Sequence, residues 1–174
     1  IDPRRSETAA LASAHHFIQP GTDALLLLGM LHVLFAEKRC QPGRLASFVD
    51  GLPLVEAAVL EFSPSRVAAA TGIDAAIITA LARDFAGAKS AVCYARMGAS
   101  TQALGGLCQW LSSVLNIVTG NLDRPGGAMF TRPAVDVVAL TAQAGQRGHF
   151  DKGRSRVRKL PEFGGEYPVA ALAE

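Results

Sequence analysis

Residues 90–127 read SAVCYARMGASTQALGGLCQWLSSVLNIVTGNLDRPGG and carry the strongest indication of fold in the chain. The short apolar run 90–95 predicts a buried strand. Apolar residues recur at helical spacing over residues 107–118, and residues 120–127 have the composition of a turn. A strand followed by a loop of small residues and a helix start is where α/β proteins hold ligands, because free backbone N–H groups and the helix dipole favour an anion there. An ordinary connection between a strand and a helix has the same pattern.

The composition is that of a folded protein. The chain has 174 residues, of which 49% are hydrophobic and 18% charged, enough for a domain with a real core. Its net charge of +2 gives no general attraction to nucleic acid. Cys40, Cys93 and Cys108 are too widely spaced for a CxxC or Cys/His metal pattern, so we expect reduced, partly buried thiols.

Strand and helix patterns alternate along the chain. Residues 17–19 predict a short strand, and residues 24–38 predict the most apolar helix. This helix is too short to span a bilayer, which needs about 20 apolar residues, so we expect a core helix and no membrane-spanning segment. Further helices are predicted over residues 9–14, 44–49, 54–60, 65–70 and 75–86. The alternation predicts an α/β fold, a parallel sheet flanked by helices.

The pattern becomes irregular after Gly127, which predicts a division into residues 1–130 and 131–174. The second part contains a basic segment from Arg147 to Lys159, in which Asp151 is the only acidic residue. We interpret it as a solvated loop, or as an extension that packs on a partner segment and leads to the next domain. Nucleic-acid binding is an alternative, but the segment lacks the aromatic pattern that stacking on bases requires.

Several motifs together resemble the molybdopterin oxidoreductases, the family of dimethyl sulfoxide reductase, formate dehydrogenase and nitrate reductase. The motifs are Arg96-Met97-Gly98, Thr101-Gln102, a helix with Trp110 and Asn116, IVTGNLDRPGG at 117–127, IDPRR at 1–5 and PGTD at 20–23. The resemblance covers roughly residues 1–130. It implies an incomplete Rossmann-like domain that binds part of a molybdopterin guanine dinucleotide. Because IDPRR reads as the end of a strand and the turn after it, we expect an internal piece of a longer protein.

The resemblance implies that two turns line the guanine dinucleotide, through Asp2, Pro3, Arg4, Gly21, Thr22 and Asp23. A carboxylate can accept two hydrogen bonds from the ring N–H and amino group of guanine, so Asp23 is the expected contact with the base. Asp2 is expected to contact ribose or base, and Arg4 or Arg5 to pair with phosphate. Structural alternatives stay open, since Asp23 can cap the following helix and Asp2 can close a turn.

A second set of residues matches the loop that lies near the pterin end of the cofactor in the family. The set consists of Met97, Gly98, Thr101 and Gln102. Relatives commonly place a glutamine four residues after the methionine, whereas here Thr101 has that spacing and Gln102 comes one residue later. Which of the two side chains makes the contact stays open, and Met97 can equally be a packing residue.

The resemblance also implies the parent protein's activity, a two-electron transfer of an oxygen atom or a hydride equivalent at molybdenum. No residue of this chain is assigned to catalysis or to metal ligation. The expected partners are the remaining domains of the parent, among them a preceding part able to carry an iron–sulfur cluster, and an electron-transfer subunit. The alternative is a scaffold or interaction domain that keeps the fold without the cofactor.

Overall fold

The computed structural model describes residues 1–130, 133–145 and 150–173. The chain forms two compact units, Ile1–Phe130 and Thr131–Glu174. The helices of the first unit, in chain order, are α1 (Glu7–Leu11), α2 (Asp23–Ala36), a 3-10 helix (Gly43–Ser47), α3 (Leu52–Val59), α4 (Pro64–Thr71), α5 (Ala75–Gly87), α6 (Met97–Ser100) and α7 (Gly105–Val118).

Helix α2 lies at the centre of the first unit and contacts α3, α4, α5 and α7. It is apolar on almost every side, as expected of a helix that is surrounded by others. Leu31 and Leu34 are fully buried in the core cluster. Gly29 allows the close approach of α4, because a Cβ atom at this position would lie 2.9 Å from Cγ2 of Val67.

The predicted helices are confirmed, with shifts of a few residues at their ends. Local signals account for the good agreement. The Ser6 hydroxyl accepts a hydrogen bond from the Ala9 N–H at the start of α1, Pro64 is in the first turn of α4, and Gly72 ends α4 with φ +73°. The segment predicted over residues 44–49 is a 3-10 helix. Residues 97–100, predicted as a loop, form the short helix α6.

The strand predictions for residues 17–19 and 90–95 are wrong in this structure, because neither segment pairs with another strand in the part of the chain that the structure describes. Both are extended, but their backbone groups bind other partners. The Gln19 N–H donates to the Thr71 carbonyl at 2.9 Å, and residues 91–95 bind side chains of α7 and of Asn121, which follows it. Among the described residues, the sheet that does form is an antiparallel pair in the second unit. The expected parallel sheet is therefore not seen in this part of the chain.

The second unit is more regular than the sequence predicts. It contains α8 (Val137–Gln143), strands β1 (Phe150–Arg154) and β2 (Pro161–Phe163), and a 3-10 helix (Val169–Ala171). The buried Glu162 stabilises the hairpin, because its carboxylate accepts hydrogen bonds from the N–H groups of Lys152 and Gly165. Most of the predicted basic segment therefore lies in a hairpin, while Arg147 lies outside the described residues.

The helices were also compared with the length and apolar character that a membrane span needs. Over the described ranges no single helix meets both criteria. The pair Pro64–Thr71 and Ala75–Gly87 meets them only jointly, with a bend of 112° between the two helices.

Leu34→Ala should lower the free energy of unfolding by about 2–5 kcal/mol, because it removes methyl groups from a fully enclosed site. Leu25→Ala on the same helix is the matched control, since Leu25 is only half-buried and should cost less. Urea unfolding of both variants measures the difference. Equal midpoints for Leu34→Ala and the unsubstituted chain would contradict the central position of α2.

Candidate functional site

The first unit has a cleft of about 510 Å³ between its N-terminal turn, the start of α2 and the segment that leads into α6. The predicted site residues that line this cleft are Asp2, Pro3, Gly21, Asp23 and Gly98. Arg4, Thr22, Met97, Thr101 and Gln102 do not line it. The structure therefore brings half of the predicted set together, from three motifs that are far apart in sequence.

One wall of the cleft is the N-terminal turn, in which Asp2 has a structural role. Its Oδ1 atom accepts a hydrogen bond from the Arg4 N–H at 2.8 Å, which closes the turn. The Asp2 carbonyl lies 3.1 Å from Nε2 of His15, and its N–H donates to the His16 carbonyl at 3.3 Å. The Oδ2 atom has no hydrogen bond within the described residues, so one carboxylate oxygen of Asp2 is still available. Arg4 is exposed.

The start of α2 brings Asp23 to the same cleft. Asp23 is the first residue of the helix, after Thr22, and its carboxylate is half-buried. The Thr22 hydroxyl donates to the Gln19 carbonyl at 2.7 Å and makes no capping hydrogen bond. Neither residue therefore caps the helix through its side chain. The negative charge of Asp23 is nevertheless favourable at this end of the helix dipole.

Gln102 links the two predicted motifs, although it lies outside the lining of the cleft. Its Nε2 atom donates to Oδ2 of Asp23 at 2.9 Å and to the Gly98 carbonyl at 3.2 Å. Its Oε1 atom is buried and has no hydrogen-bond partner among the described residues. Thr101 behaves differently, because its hydroxyl donates to the Met97 carbonyl within the same turn of helix at 2.7 Å. Of the two side chains left open by the sequence, Gln102 is the one that reaches the other motif.

The opposite wall is the extended segment 91–95, which side chains of α7 and Asn121 hold in place. The Asn116 carboxamide pairs with both backbone groups of Cys93, accepting from its N–H at 2.9 Å and donating to its carbonyl at 2.8 Å. The Asn121 carboxamide accepts from the Ala91 N–H at 3.2 Å, and the Gln109 carboxamide donates to the Ala95 carbonyl at 3.3 Å. Three carboxamides thus take the place that a neighbouring strand would have on this side.

The other edge of this segment is free within the described residues. Because backbone groups alternate in direction along an extended chain, those of Val92 and Tyr94 point away from α7. None of them makes a hydrogen bond in the part of the chain that the structure describes. The two side chains are 52% and 73% exposed. This edge has the features of an unpaired strand edge.

Sequence reasoning missed the contribution of Arg96. It precedes α6 and supplies a guanidinium group to the cleft that Asp2 and Asp23 also line. A guanidinium presents a planar set of donors that suits phosphate. The signal that could have identified Arg96 as a site residue was its position at the start of the Arg96-Met97-Gly98 motif.

The thiols near the cleft are poor nucleophiles. Burial raises the pKa of Cys93, which lines the cleft and accepts a hydrogen bond from the Ser112 hydroxyl at 3.3 Å. Burial, together with the negative charge of Asp23, raises the pKa of Cys108. Burial also raises the pKa of Cys40 to about 11. All three thiols are therefore protonated at neutral pH.

The described residues contain no group of three or more His, Cys, Asp and Glu side chains that could hold a metal ion.

No family model matches the chain. Formate dehydrogenase H of Escherichia coli (strain K12) is 33% identical over 124 residues, which is 71% of this chain and 17% of that protein. The periplasmic nitrate reductase of Desulfovibrio desulfuricans is 29% identical over 169 residues, which is 92% of this chain and 21% of that protein. Among solved structures, acetylene hydratase from Pelobacter acetylenicus matches with a TM-score of 0.66 and 28% identity, over 73% of this chain and 17% of that chain.

These similarities confirm the resemblance found in the sequence motifs. The chain belongs to the molybdopterin oxidoreductase family. It spans 17–23% of the length of the first curated relatives that it matches.

Asn116→Leu should destabilise the fold by about 1–3 kcal/mol, because the N–H and carbonyl of Cys93 lose their partner while the number of side-chain heavy atoms is kept. Ser113→Ala on the same helix is the control, since the Ser113 hydroxyl is exposed and bonds only within α7. Denaturant unfolding measures both variants. A cost no larger for Asn116→Leu than for Ser113→Ala would show that the carboxamides do not hold this wall.

Proposed function

We propose that the chain forms part of a molybdopterin guanine dinucleotide site in a molybdenum-dependent oxidoreductase. The observation that carries the proposal is the placement of Asp23, a carboxylate that lines the cleft and does not cap its helix. Its Oδ1 atom makes no hydrogen bond within the described residues, whereas Oδ2 accepts from Gln102. A carboxylate held in this way suits a planar base with two neighbouring donors.

Two further residues that line the cleft, Arg96 and Asp2, suit the same group. Arg96 offers donors for a phosphate, and the free Oδ2 atom of Asp2 offers an acceptor for a ribose hydroxyl or the base. The cleft volume of about 510 Å³ lies in the range of small-molecule sites. The bound cofactor supplies the redox chemistry through its metal, and this chain's residues bind and orient its nucleotide end.

The proposed fold of the parent includes a parallel sheet that this chain only begins. The support is the free edge of segment 91–95, where the backbone groups of Val92 and Tyr94 point away from α7. A strand from another part of the parent would satisfy these groups and cover the two exposed side chains. The chain spans only 17% and 21% of two of its relatives, which is consistent with a domain whose other strands lie elsewhere in the parent.

The proposed activity of the parent is a two-electron reaction at molybdenum, an oxygen-atom or hydride-equivalent transfer. The matched proteins are named as a formate dehydrogenase, a nitrate reductase and an acetylene hydratase, so the shared segment does not specify one substrate. In the proposed assembly the remaining domains complete the cofactor site, and a preceding part carries an iron–sulfur cluster. An electron-transfer subunit is the proposed external partner.

Asp23→Asn in the parent protein should weaken retention of the guanine dinucleotide about 10- to 150-fold, the equivalent of a charge-assisted hydrogen bond of about 1.5–3 kcal/mol. Asparagine offers one acceptor and turns an NH₂ group towards the second guanine donor. Molybdenum and guanine nucleotide content of the purified variant, measured after dilution, test the change.

Asp74→Asn is the matched control, because Asp74 also precedes a helix and makes no capping hydrogen bond, but is exposed and away from the cleft. A thermal melt of both variants checks the fold. Unchanged cofactor content in Asp23→Asn would return Asp23 to the role of a helix-terminal charge. A parent that folds fully and never contains molybdenum would favour the scaffold alternative.

The 174-residue chain by itself should show no oxidoreductase activity, because the proposal assigns it to binding only one end of the cofactor. The measurement is reduction of artificial electron acceptors by the purified chain after incubation with molybdenum cofactor. Molybdenum-dependent turnover by this chain would contradict its assignment to one part of the site.

A further inference from the structure

The Asp23 carboxylate has two competing environments within reach. One is the start of α2, where the N–H groups of the first turn and the helix dipole attract an acidic side chain. The other is the cleft, which the carboxylate lines. Thr22, the residue before the helix, makes no capping hydrogen bond, so nothing from its side chain prevents Asp23 from turning back to the helix.

In the structure, Gln102 binds the Asp23 carboxylate on the side of the cleft. Its Nε2 atom donates to Oδ2 of Asp23 at 2.9 Å and to the Gly98 carbonyl at 3.2 Å, so both amide hydrogens are used. The orientation of the amide is unambiguous, because the reversed orientation would place its carbonyl oxygen against two acceptors. The contact joins residues that are 79 positions apart in the chain.

This orientation leaves the Oε1 atom of Gln102 buried without a partner, close to Gly21. An unsatisfied buried acceptor is unfavourable and uncommon in folded proteins. The Gln102 amide nitrogen thus binds Asp23 and the backbone of α6, while the side-chain carbonyl of Gln102 stays without a hydrogen bond in the described residues. A side chain that only filled space behind the cleft would not need its amide directed at a carboxylate.

We propose that Gln102 is a positioning residue that holds the Asp23 carboxylate on the cleft and away from the helix start. This inference rests on the proposed function. A carboxylate oxygen has two lone pairs, so Oδ2 accepts from Gln102 and still faces a ligand, while Oδ1 is free. Gln102 itself does not touch the base. It sets the plane in which the carboxylate meets two donors, and this plane determines selectivity for guanine.

The test compares guanosine 5′-monophosphate with inosine 5′-monophosphate, whose base keeps the ring N–H but lacks the amino group. The parent protein, purified without its cofactor, should bind the guanine nucleotide about tenfold or more tightly than the inosine nucleotide, the effect of one added hydrogen bond to a charged group. Gln102→Leu and the similarly long Gln102→Met should reduce this ratio to about threefold or less, because neither side chain can donate a hydrogen bond to Asp23. Calorimetric titration measures both affinities.

The controls separate positioning from a structural role. Gln41→Leu, on an exposed glutamine with no side-chain hydrogen bond, should leave the ratio unchanged. On an Asp23→Asn background, Gln102→Leu should have no further effect on the ratio, because both residues act through one contact. Thermal melts verify that each variant is folded.

Selective binding by the unsubstituted parent with an unchanged ratio in both Gln102 variants would overturn the role of Gln102 and leave the proposed function standing. An equal loss of affinity for both nucleotides would also overturn it, since that result indicates a collapsed cleft. Binding of neither nucleotide by the unsubstituted parent would overturn the guanine site itself, and the positioning role with it.

Discussion

Burial of α2 is the constraint on which the rest of the first unit depends. The helix is enclosed by four others, so its direction is fixed by packing along most of its length. Gly29 permits the close contact with α4. Because Asp23 is the first residue of this helix, the same packing that stabilises the core also determines where the carboxylate lies. The site thus takes its rigidity from apolar burial some distance away.

The helices were predictable because their signals are local. Apolar spacing, Ser6 before α1, Pro64 at the start of α4 and Gly72 at its end all act within a few residues of the helix they bound. A strand is harder to predict from local signals, because its hydrogen bonds depend on a partner that is distant in sequence. Residues 90–95 have the apolar composition of a strand, yet Asn116, Asn121 and Gln109 satisfy one edge of the segment. The residue pattern of the segment does not indicate that carboxamide side chains, and not a second strand, satisfy its backbone groups.

The candidate site could be predicted from the sequence only where its motifs are contiguous. The turns that carry Asp2 and Asp23 were identified from resemblance, and the structure places both on one cleft. The sequence did not predict the direction in which each side chain points. Whether a side chain in a turn faces the cleft or the solvent depends on the packing around it. Thr101 and Gln102 show this clearly, since adjacent side chains bind a local carbonyl and a distant carboxylate. Arg96 was missed for the same reason.

Helix α7 connects these observations, because it holds segment 91–95 and packs against α2. Its side chains Asn116, Ser112 and Gln109 hold segment 91–95, and Cys108 packs fully buried near Asp23. Gln109 also donates to the Ser100 hydroxyl at the end of α6, one residue before Thr101-Gln102. The start of α7 must be glycine, since a Cβ atom at position 105 would overlap the Ser100 carbonyl. A shift of α7 against α2 would therefore change the position of Gln102 and of the extended wall together. The geometry at Asp23 is a property of the packed pair of helices and cannot be assigned to any one turn.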